Sequence, residues 1–247
     1  MEEKRQVYSK IENGVMIITI DNPEMKNGLN WAGIEQLADC YEEMRDNKEI
    51  RVAVITGNEE YFYTGGRVDA TVPGEQEKYA NAIARVDALM AQNKTPMIAA
   101  VSGHCLKAGM GMIASCDFAV ACEGVEFGFP EVRMGGVPMM VMVDTIDCMP
   151  RKRALEAYLT SWNFSAEDAY GMGLINRVVP REAFRETVSQ FVRVFLDTHP
   201  ALIEMTRRAY DAMKAMSDKK ERTEFAMKML RTEVLTTMAQ IKTDYNV

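Results

Sequence analysis

Two spacings of apolar residues alternate along the first half of the chain. Val15–Asp21 and Arg51–Thr56 are short, rich in β-branched residues and followed by Asn-Pro and Gly-Asn, which is typical of buried strands. Between them, Trp31–Asp46 repeats apolar residues every three or four positions, which is the spacing of an amphipathic helix. The pattern predicts a strand, a helix and a strand in succession.

The same alternation continues to residue 121. We predict a helix over Glu75–Ala91, a strand over Pro96–Ser102, a helix that opens near Ala108 and a strand over Asp117–Ala121. Strands that alternate with helices favour parallel pairing through right-handed crossovers. The first half is therefore predicted to form an α/β core.

The second half is mostly helical in its pattern. Its predicted helices are Arg151–Leu159, Ala166–Met172, Arg181–Leu196 and a long stretch from Ala201 to about Lys242. Thr198-His199-Pro200 is the predicted break, because the residue before a proline is pushed out of the helical region. We divide the chain into a core of residues 1–197 and a C-terminal helical region of residues 198–247.

Composition narrows the class of protein. Apolar residues make up 47% and charged residues 26% of the 247 residues, as in ordinary globular chains. Five scattered cysteines without a CxxC pair, and two distant histidines, support neither a disulfide framework nor a metal site. The net charge of −7 argues against a nucleic-acid partner.

No apolar stretch approaches the ~18–20 residues of a membrane span, and the opening MEEKRQ lacks the apolar segment of a signal peptide. We expect a cytoplasmic protein with no membrane partner.

Three segments carry candidate chemistry. Tyr61–Asp69 (YFYTGGRVD) contains paired glycines, which either make a tight turn or let a ligand approach the backbone. Pro96–Asp117 is a strand followed by a helix of small residues, whose first N–H groups lack partners within the helix. In Glu126–Pro138 (EFGFPEVRMGGVP), Glu131 follows an apolar turn, where partial burial would raise its pKa toward values useful for proton transfer. Taken alone, each segment also has a purely structural interpretation.

Together, in this order and spacing, the segments resemble the crotonase (enoyl-CoA hydratase/isomerase) superfamily over most of the chain. The stretches that carry the resemblance are DNPEMKNGLN, PMIAAVSGH, CDFAVA, FGFPE and PRKRALEAYLTSWNFSAEDAYGMGLINRVVP. The resemblance implies an α/β fold with a ββα spiral core and a helical C-terminal trimerisation region, often with trimers paired into hexamers. It also implies an acyl-CoA substrate, with coenzyme A bound as part of the thioester and no tightly bound cofactor.

The resemblance also implies roles for individual residues. Gly66 and Ala108 match the positions whose backbone N–H groups form an oxyanion hole for the thioester oxygen. Proton transfer beside a thioester carbonyl places negative charge on that oxygen, and losing one preorganised donor typically costs about 2.7–4 kcal/mol. Lys26, Thr64 and Gly65, together with Gly66, match positions that contact coenzyme A.

Glu131 matches one of two glutamates that hydratases of this superfamily commonly use, and the other position falls on Gly111. One carboxylate that removes a proton and returns it nearby suffices to move a double bond, whereas two carboxylates make the addition of water easiest. Single-acid hydratases also occur in the superfamily. Isomerisation and hydration therefore both stay open.

The chain departs from the family pattern at three more positions. Met139 stands where dehalogenase, dienoyl-isomerase and hydroxyacyl-CoA hydrolase members carry an aspartate, and it cannot ionise. Asp144 and Asp147 on the next helix are the alternatives that could reach the site. Arg67 and Lys107 replace a usual acid and a usual glycine, and each is either a solvated loop charge or a ligand for a substrate carboxylate or a CoA phosphate.

The sequence thus favours an enoyl-CoA isomerase or hydratase with Glu131 as its acid/base and with Arg67, Lys107 and Met139 as candidate substrate contacts. Two alternatives remain. One is a catalytically inactive acyl-CoA-binding or scaffold member, and the other is a different reaction of the superfamily, such as thioester hydrolysis or decarboxylation.

Overall fold

The computed structural model describes residues 4–245. The chain divides into two compact units, Met1–Val192 and Arg193–Val247. The predicted division after residue 197 into a core and an oligomerisation region stays a prediction. No helix of the described residues is both long and apolar enough to cross a membrane.

The strands all lie in the first unit. In chain order they are β1 (Val7–Glu12), β2 (Val15–Ile20), β3 (Val52–Thr56), β4 (Tyr61–Tyr63), β5 (Met97–Val101), β6 (His104–Leu106), β7 (Phe118–Cys122), β8 (Glu126–Gly128), β9 (Phe164–Ser165) and β10 (Arg177–Val179). They form a six-stranded sheet in the order β1-β2-β3-β5-β7-β10 and a four-stranded sheet in the order β4-β6-β8-β9.

The large sheet is parallel except for the β1–β2 hairpin. This confirms the parallel pairing that the alternating pattern predicted. The hairpin turns at Asn13-Gly14, where both residues have positive φ, as a two-residue turn between antiparallel strands requires. Because helices cover a parallel sheet, its central strands are almost wholly buried.

The helices are α1 (Trp31–Asp46), α2 (Glu75–Ala91), α3 (Ala108–Ser115), α4 (Met139–Thr145), α5 (Arg151–Thr160), α6 (Ala166–Met172), α7 (Arg181–Asp197), α8 (Pro200–Ala215), α9 (Lys219–Met229) and α10 (Leu235–Tyr245). The predicted bounds of α1, α2 and α6 are confirmed at both ends. The predicted break before Pro200 is also confirmed. A single long helix from Ala201 was wrong, because Met216 is extended and the Asp218 side chain accepts from the Lys220 N–H to begin α9.

A strand–strand–helix unit occurs three times in the first unit. Each of β3, β5 and β7 in the large sheet is followed within a few residues by β4, β6 or β8 in the small sheet, and then by α2, α3 or α4. The strands β4, β6 and β8 run parallel to one another. Their carboxyl ends therefore lie side by side at one edge of the small sheet.

The packing around this edge is close. Phe62, Phe127 and Phe129 are completely buried, and the Phe129 ring meets Tyr158 edge to face at a centroid distance of 4.8 Å.

Arg85 fixes α2 against α1 through ion pairs with acidic residues of α1. Such half-exposed pairs add little stability, but they orient the helix.

Candidate active site

Three loops meet at the carboxyl edge of the small sheet. Gly65-Gly66 follows β4, Lys107-Ala108 follows β6, and Phe129–Glu131 follows β8. The Lys107 N–H donates to the Gly128 carbonyl at 3.1 Å, which ties the second loop to the third. A Cβ built on Gly65 would lie 3.3 Å from the Ala108 nitrogen, so the first two loops are also in contact.

The Gly66 N–H is directed away from Leu29, the residue with which Gly66 forms an isolated β-bridge. In the bridge between Leu29 and Gly66, Leu29 donates to Gly65 at 3.1 Å and Arg67 donates to Leu29 at 2.7 Å. The bridge therefore uses the groups on either side of Gly66. The N–H of Gly66 itself donates no hydrogen bond within residues 4–245.

The Ala108 N–H is equally available, because Ala108 is the first residue of α3 and has no intrahelical acceptor. Gly109 holds this helix start against β4, since any Cβ there would overlap the Tyr63 carbonyl oxygen. The two N–H groups predicted to form an oxyanion hole thus belong to adjacent loops, and neither has an acceptor within the described chain.

Lys107 has an unusual backbone conformation. Its φ of 54° and ψ of −125° fall in a region that favours glycine, and holding another residue there costs about 1–3 kcal/mol. Gly65 in the first loop also has a positive φ, of 86°, but no Cβ to strain. The burial of the Lys107 ammonium lowers its pKa, as does the Arg67 charge, whereas Glu131 opposes both effects.

Glu131 is half-buried, and its Oε2 atom is inaccessible to solvent and lacks a hydrogen-bond partner. Among the described residues it is the one buried side-chain oxygen or nitrogen in this state. Burial raises the pKa of Glu131, while its own backbone N–H and the Lys107 charge oppose the rise. A partly desolvated carboxylate with one oxygen that accepts no hydrogen bond is suited to take up and return a proton.

A cavity of about 360 Å³ opens beside these loops. Three of its lining residues are cations, namely Lys26, Arg67 and Lys107. The remaining lining is Tyr61, Thr64, His104, Leu106, Glu126, Pro130, Met134 and Asn163. Thr64 donates to the Lys26 carbonyl at 2.8 Å and accepts from Arg67 at 3.1 Å. The cavity therefore brings together the predicted coenzyme A contacts Lys26 and Thr64 with two predicted substrate contacts. The described residues contain no group of three or more His, Cys, Asp or Glu side chains that could hold a metal ion.

Comparison with known proteins decides the family. Residues 10–243 match the model of the enoyl-CoA hydratase/isomerase family. The chain belongs to this family. The predicted resemblance and the predicted α/β spiral fold are both confirmed.

Individual relatives of the family are distant in sequence. A mevalonyl-coenzyme A hydratase of Aspergillus fumigatus is 29% identical over 78% of this chain and 73% of its own. A carnitinyl-CoA dehydratase of Salmonella typhi is 28% identical over 82% of this chain and 78% of its own. The crystal structure of an enoyl-CoA hydratase subunit of Geobacillus kaustophilus superposes with a TM-score of 0.82 at 27% identity, covering 99% of this chain and 97% of that one.

Two residues lie where the sequence alone did not place them. Met139, at the start of α4, is 65% exposed and does not line the cavity, so its role as a substrate contact stays a prediction. Tyr79 of α2 was missed, although a Cβ on Gly66 would overlap its hydroxyl. The available signal was the apolar stripe of α2, in which Tyr79 is followed by Ala82, Ile83 and Val86 at helical spacing.

Proposed function

We propose that this protein adds water to, or removes it from, the double bond of a 2-enoyl-CoA thioester, with Glu131 transferring the proton at the carbon next to the thioester. One observation carries the proposal. Glu131, whose Oε2 atom lacks a hydrogen-bond partner, follows β8, and the N–H groups of Gly66 and Ala108, which have no acceptor among the described residues, follow β4 and β6 in the same sheet.

These groups suit one electronic task. Adding or removing a proton beside a thioester carbonyl creates an enolate-like transition state with its charge on the oxygen. Two fixed N–H donors stabilise that charge, and each is worth about 2.7–4 kcal/mol in comparable sites. The close packing of Gly109 on Tyr63 and of Gly65 on Ala108 supports donors that are preorganised before the substrate binds.

The names of the relatives favour hydration over isomerisation, because those of Aspergillus fumigatus and Salmonella typhi are a hydratase and a dehydratase. Isomerisation is the second candidate. It is supported by Gly111, which has no acid at the position where hydratases of the family commonly place one. Both reactions use Glu131 and the same oxyanion hole.

The positive cavity supports coenzyme A binding. Lys26, Arg67 and Lys107 are among its lining residues, and positive side chains are what the phosphates of coenzyme A require. Arg67 donates to the Met25 carbonyl at 3.2 Å, which directs its guanidinium toward the segment that contains Lys26. We therefore assign the two unusual cations, Arg67 and Lys107, to the coenzyme A part of the substrate.

A homotrimer or hexamer is part of the proposal. Large apolar side chains in α4, in α5 and just beyond them are more than 60% exposed in the single chain, namely Met139, Val143, Ile146, Leu159 and Trp162. Such a cluster is typical of a surface that another subunit covers. Light scattering after size exclusion should give three or six chains, and a monomer would remove this part of the proposal. The cytoplasmic location likewise stays a prediction.

Glu131→Gln tests the proposed function. The substrate is crotonyl-CoA, glutaconyl-CoA or cinnamoyl-CoA, whichever the wild type hydrates fastest. We expect its turnover to fall about 100- to 10,000-fold in Glu131→Gln. Glu123→Gln, an exposed acid beyond β7, is the control and should keep wild-type turnover. Unchanged turnover in Glu131→Gln would remove Glu131 from the reaction. Tight CoA-ester binding without any wild-type turnover would favour the inactive, CoA-binding alternative.

A further inference from the structure

We propose that Asp144 of α4 is a second catalytic carboxylate of this site and that it holds and deprotonates the water molecule that adds to the enoyl group. The inference rests on the proposed function. It assigns a second carboxylate to a reaction for which Glu131 is otherwise the one acid at a matching family position.

The position of the Asp144 carboxylate is the first observation. Its Oδ2 atom lies 3.0 Å from the point where a Cβ on Gly111 would be. Gly111 is three residues after Ala108 on α3, a rise of about 4.5 Å along the helix. The carboxylate thus lies beside the position on α3 that is three residues beyond the second proposed oxyanion donor.

Gly111 and Asp144 fit together sterically. A side chain at residue 111 would have its Cβ 3.0 Å from the Asp144 oxygen and 3.7 Å from the Cα of Val141. Val141 and Asp144 are three residues apart on α4, so one face of α4 presents both of them to α3. The absence of a side chain at Gly111 therefore makes room for a carboxylate that comes from the neighbouring helix.

The surroundings of Asp144 suit a base. Asp144 is exposed in the single chain, yet partial desolvation of its carboxyl group by α2 and α3 raises its pKa. A hydrogen bond with Ser115 of α3 opposes the rise, and the negative charge of Asp87 on α2 adds to it. Groups from α2 and α3 therefore face this carboxylate. A raised pKa strengthens a carboxylate as an acceptor of a proton from water.

The two carboxylates divide the reaction between them. Asp144 takes a proton from water as the water oxygen bonds to C3, and the electrons of the C2–C3 double bond move toward the thioester oxygen held by Gly66 and Ala108. Protonated Glu131 then delivers its proton to C2 as the enolate collapses. Asp144 is left protonated and Glu131 ionised, and a proton returns from Asp144 to Glu131 through solvent.

The test compares two reactions in the full-length protein. Hydration of the preferred 2-enoyl-CoA needs both acids, whereas exchange of the α-hydrogen of butyryl-CoA with deuterium from solvent needs only Glu131 and the oxyanion hole. We expect Asp144→Asn to lower hydration about 100-fold or more while exchange stays within about threefold of wild type. Asp147→Asn, an exposed acid just beyond α4, is the matched control.

A second variant relocates the carboxylate. Gly111→Glu in the wild-type background should lower hydration, because its side chain meets Asp144, whereas Gly111→Glu combined with Asp144→Ala should recover hydration above the level of Asp144→Ala alone. Thermal unfolding and CoA binding verify that each variant is folded.

The outcomes separate this inference from the proposed function. If Asp144→Asn keeps hydration near the wild-type rate while Glu131→Gln loses it, the inference is overturned and the proposed function stands. If Asp144→Asn loses exchange as fully as hydration, the division of roles is overturned. If wild type hydrates no 2-enoyl thioester or Glu131→Gln retains full activity, the proposed function fails, and an absence of hydration overturns both.

Discussion

The two loops that carry the proposed oxyanion donors meet the same backbone requirement in different ways. The first places Gly65 at a positive φ of 86°, without a side chain to strain, and then Gly66 against the Tyr79 ring. The second places Lys107 at a positive φ of 54° and follows it with Ala108 at a helix start. The first loop meets the requirement with two glycines, while the second keeps a lysine at a backbone conformation that favours glycine. We infer that lack of space for a side chain requires glycine at residue 66, and that the positive charge of Lys107 is the reason why a lysine is kept in the second loop.

The largest expected effect comes from adding one methyl group to the first loop. In Gly66→Ala the new Cβ would overlap the Tyr79 hydroxyl, so either the loop or the ring must move. We expect turnover to fall about 100- to 1,000-fold, the loss that follows removal of one oxyanion donor. Steady-state kinetics on the preferred enoyl-CoA measures the effect.

Two further variants show whether space is the cause. Gly66→Ala combined with Tyr79→Ala, which clears the ring, should recover part of the lost turnover. Gly171→Ala in α6, where a Cβ would meet nothing within 4 Å, should leave turnover unchanged. Equal losses in Gly66→Ala with and without Tyr79 would show that space is not what requires glycine at residue 66.

Charge around the cavity is the second test of the comparison. Replacing Arg67 by Met should weaken CoA binding about tenfold, or ~1.4 kcal/mol, because a charge-assisted contact to phosphate is lost while the oxyanion donors remain. Calorimetric titration with CoA measures the change, and kcat should stay within about threefold of wild type. Arg153→Met, on the exposed face of α5, is the control. A large loss of kcat with unchanged CoA affinity would place Arg67 at the acyl group instead.

Lys107→Gly tests whether charge retains the strained lysine. Glycine adopts the observed φ and ψ freely but makes the unfolded chain more flexible, so we expect a net stabilisation of about 1 kcal/mol. Urea unfolding measures it. Lys26→Gly, at a φ of 54° and a ψ of 44° in the milder left-handed helical region, should stabilise the protein less. A destabilised Lys107→Gly would mean that contacts of the side chain outweigh the backbone strain.

The smallest expected effect is the change in the stability of the protein when Glu131 is replaced. Burial raises its pKa above the unfolded value, so the folded protein binds more protons between the two values and loses stability as pH rises through the folded pKa. Glu131→Gln has no charge to bury. It should be more stable than wild type at pH 8 and equal to it below the unfolded pKa, at about pH 4. Denaturant unfolding across this range checks the sign.

Sequence patterns predicted long elements better than short ones. The bounds of α1 and α2 follow from an apolar repeat over sixteen and seventeen residues. β4, β6 and β8 are three residues each, too short for a pattern, and they become strands only by pairing with one another. The break between α8 and α9 was missed because the helical spacing continues through it and the deciding feature is the cap at Asp218.

The candidate site was predictable to a different degree. Gly66, Ala108 and Glu131 could be proposed because loops that follow neighbouring parallel strands converge, and these positions match a family pattern. Asp144 was an open alternative, since its approach to Gly111 depends on how α4 packs on α3, which no local spacing records. Tyr79 belongs to the apolar stripe of α2, which the helical spacing does record, but its contact with Gly66 exists only after α2 folds back over the first loop.

The central claim is that the N–H groups of Gly66 and Ala108 hold the thioester oxygen. A crystal structure with acetoacetyl-CoA bound tests it most directly. We predict that the thioester oxygen lies about 2.7–3.1 Å from both backbone nitrogens, with the Glu131 carboxylate next to the α-carbon. A thioester oxygen farther than about 4 Å from either nitrogen, or bound by a side chain instead, would contradict it.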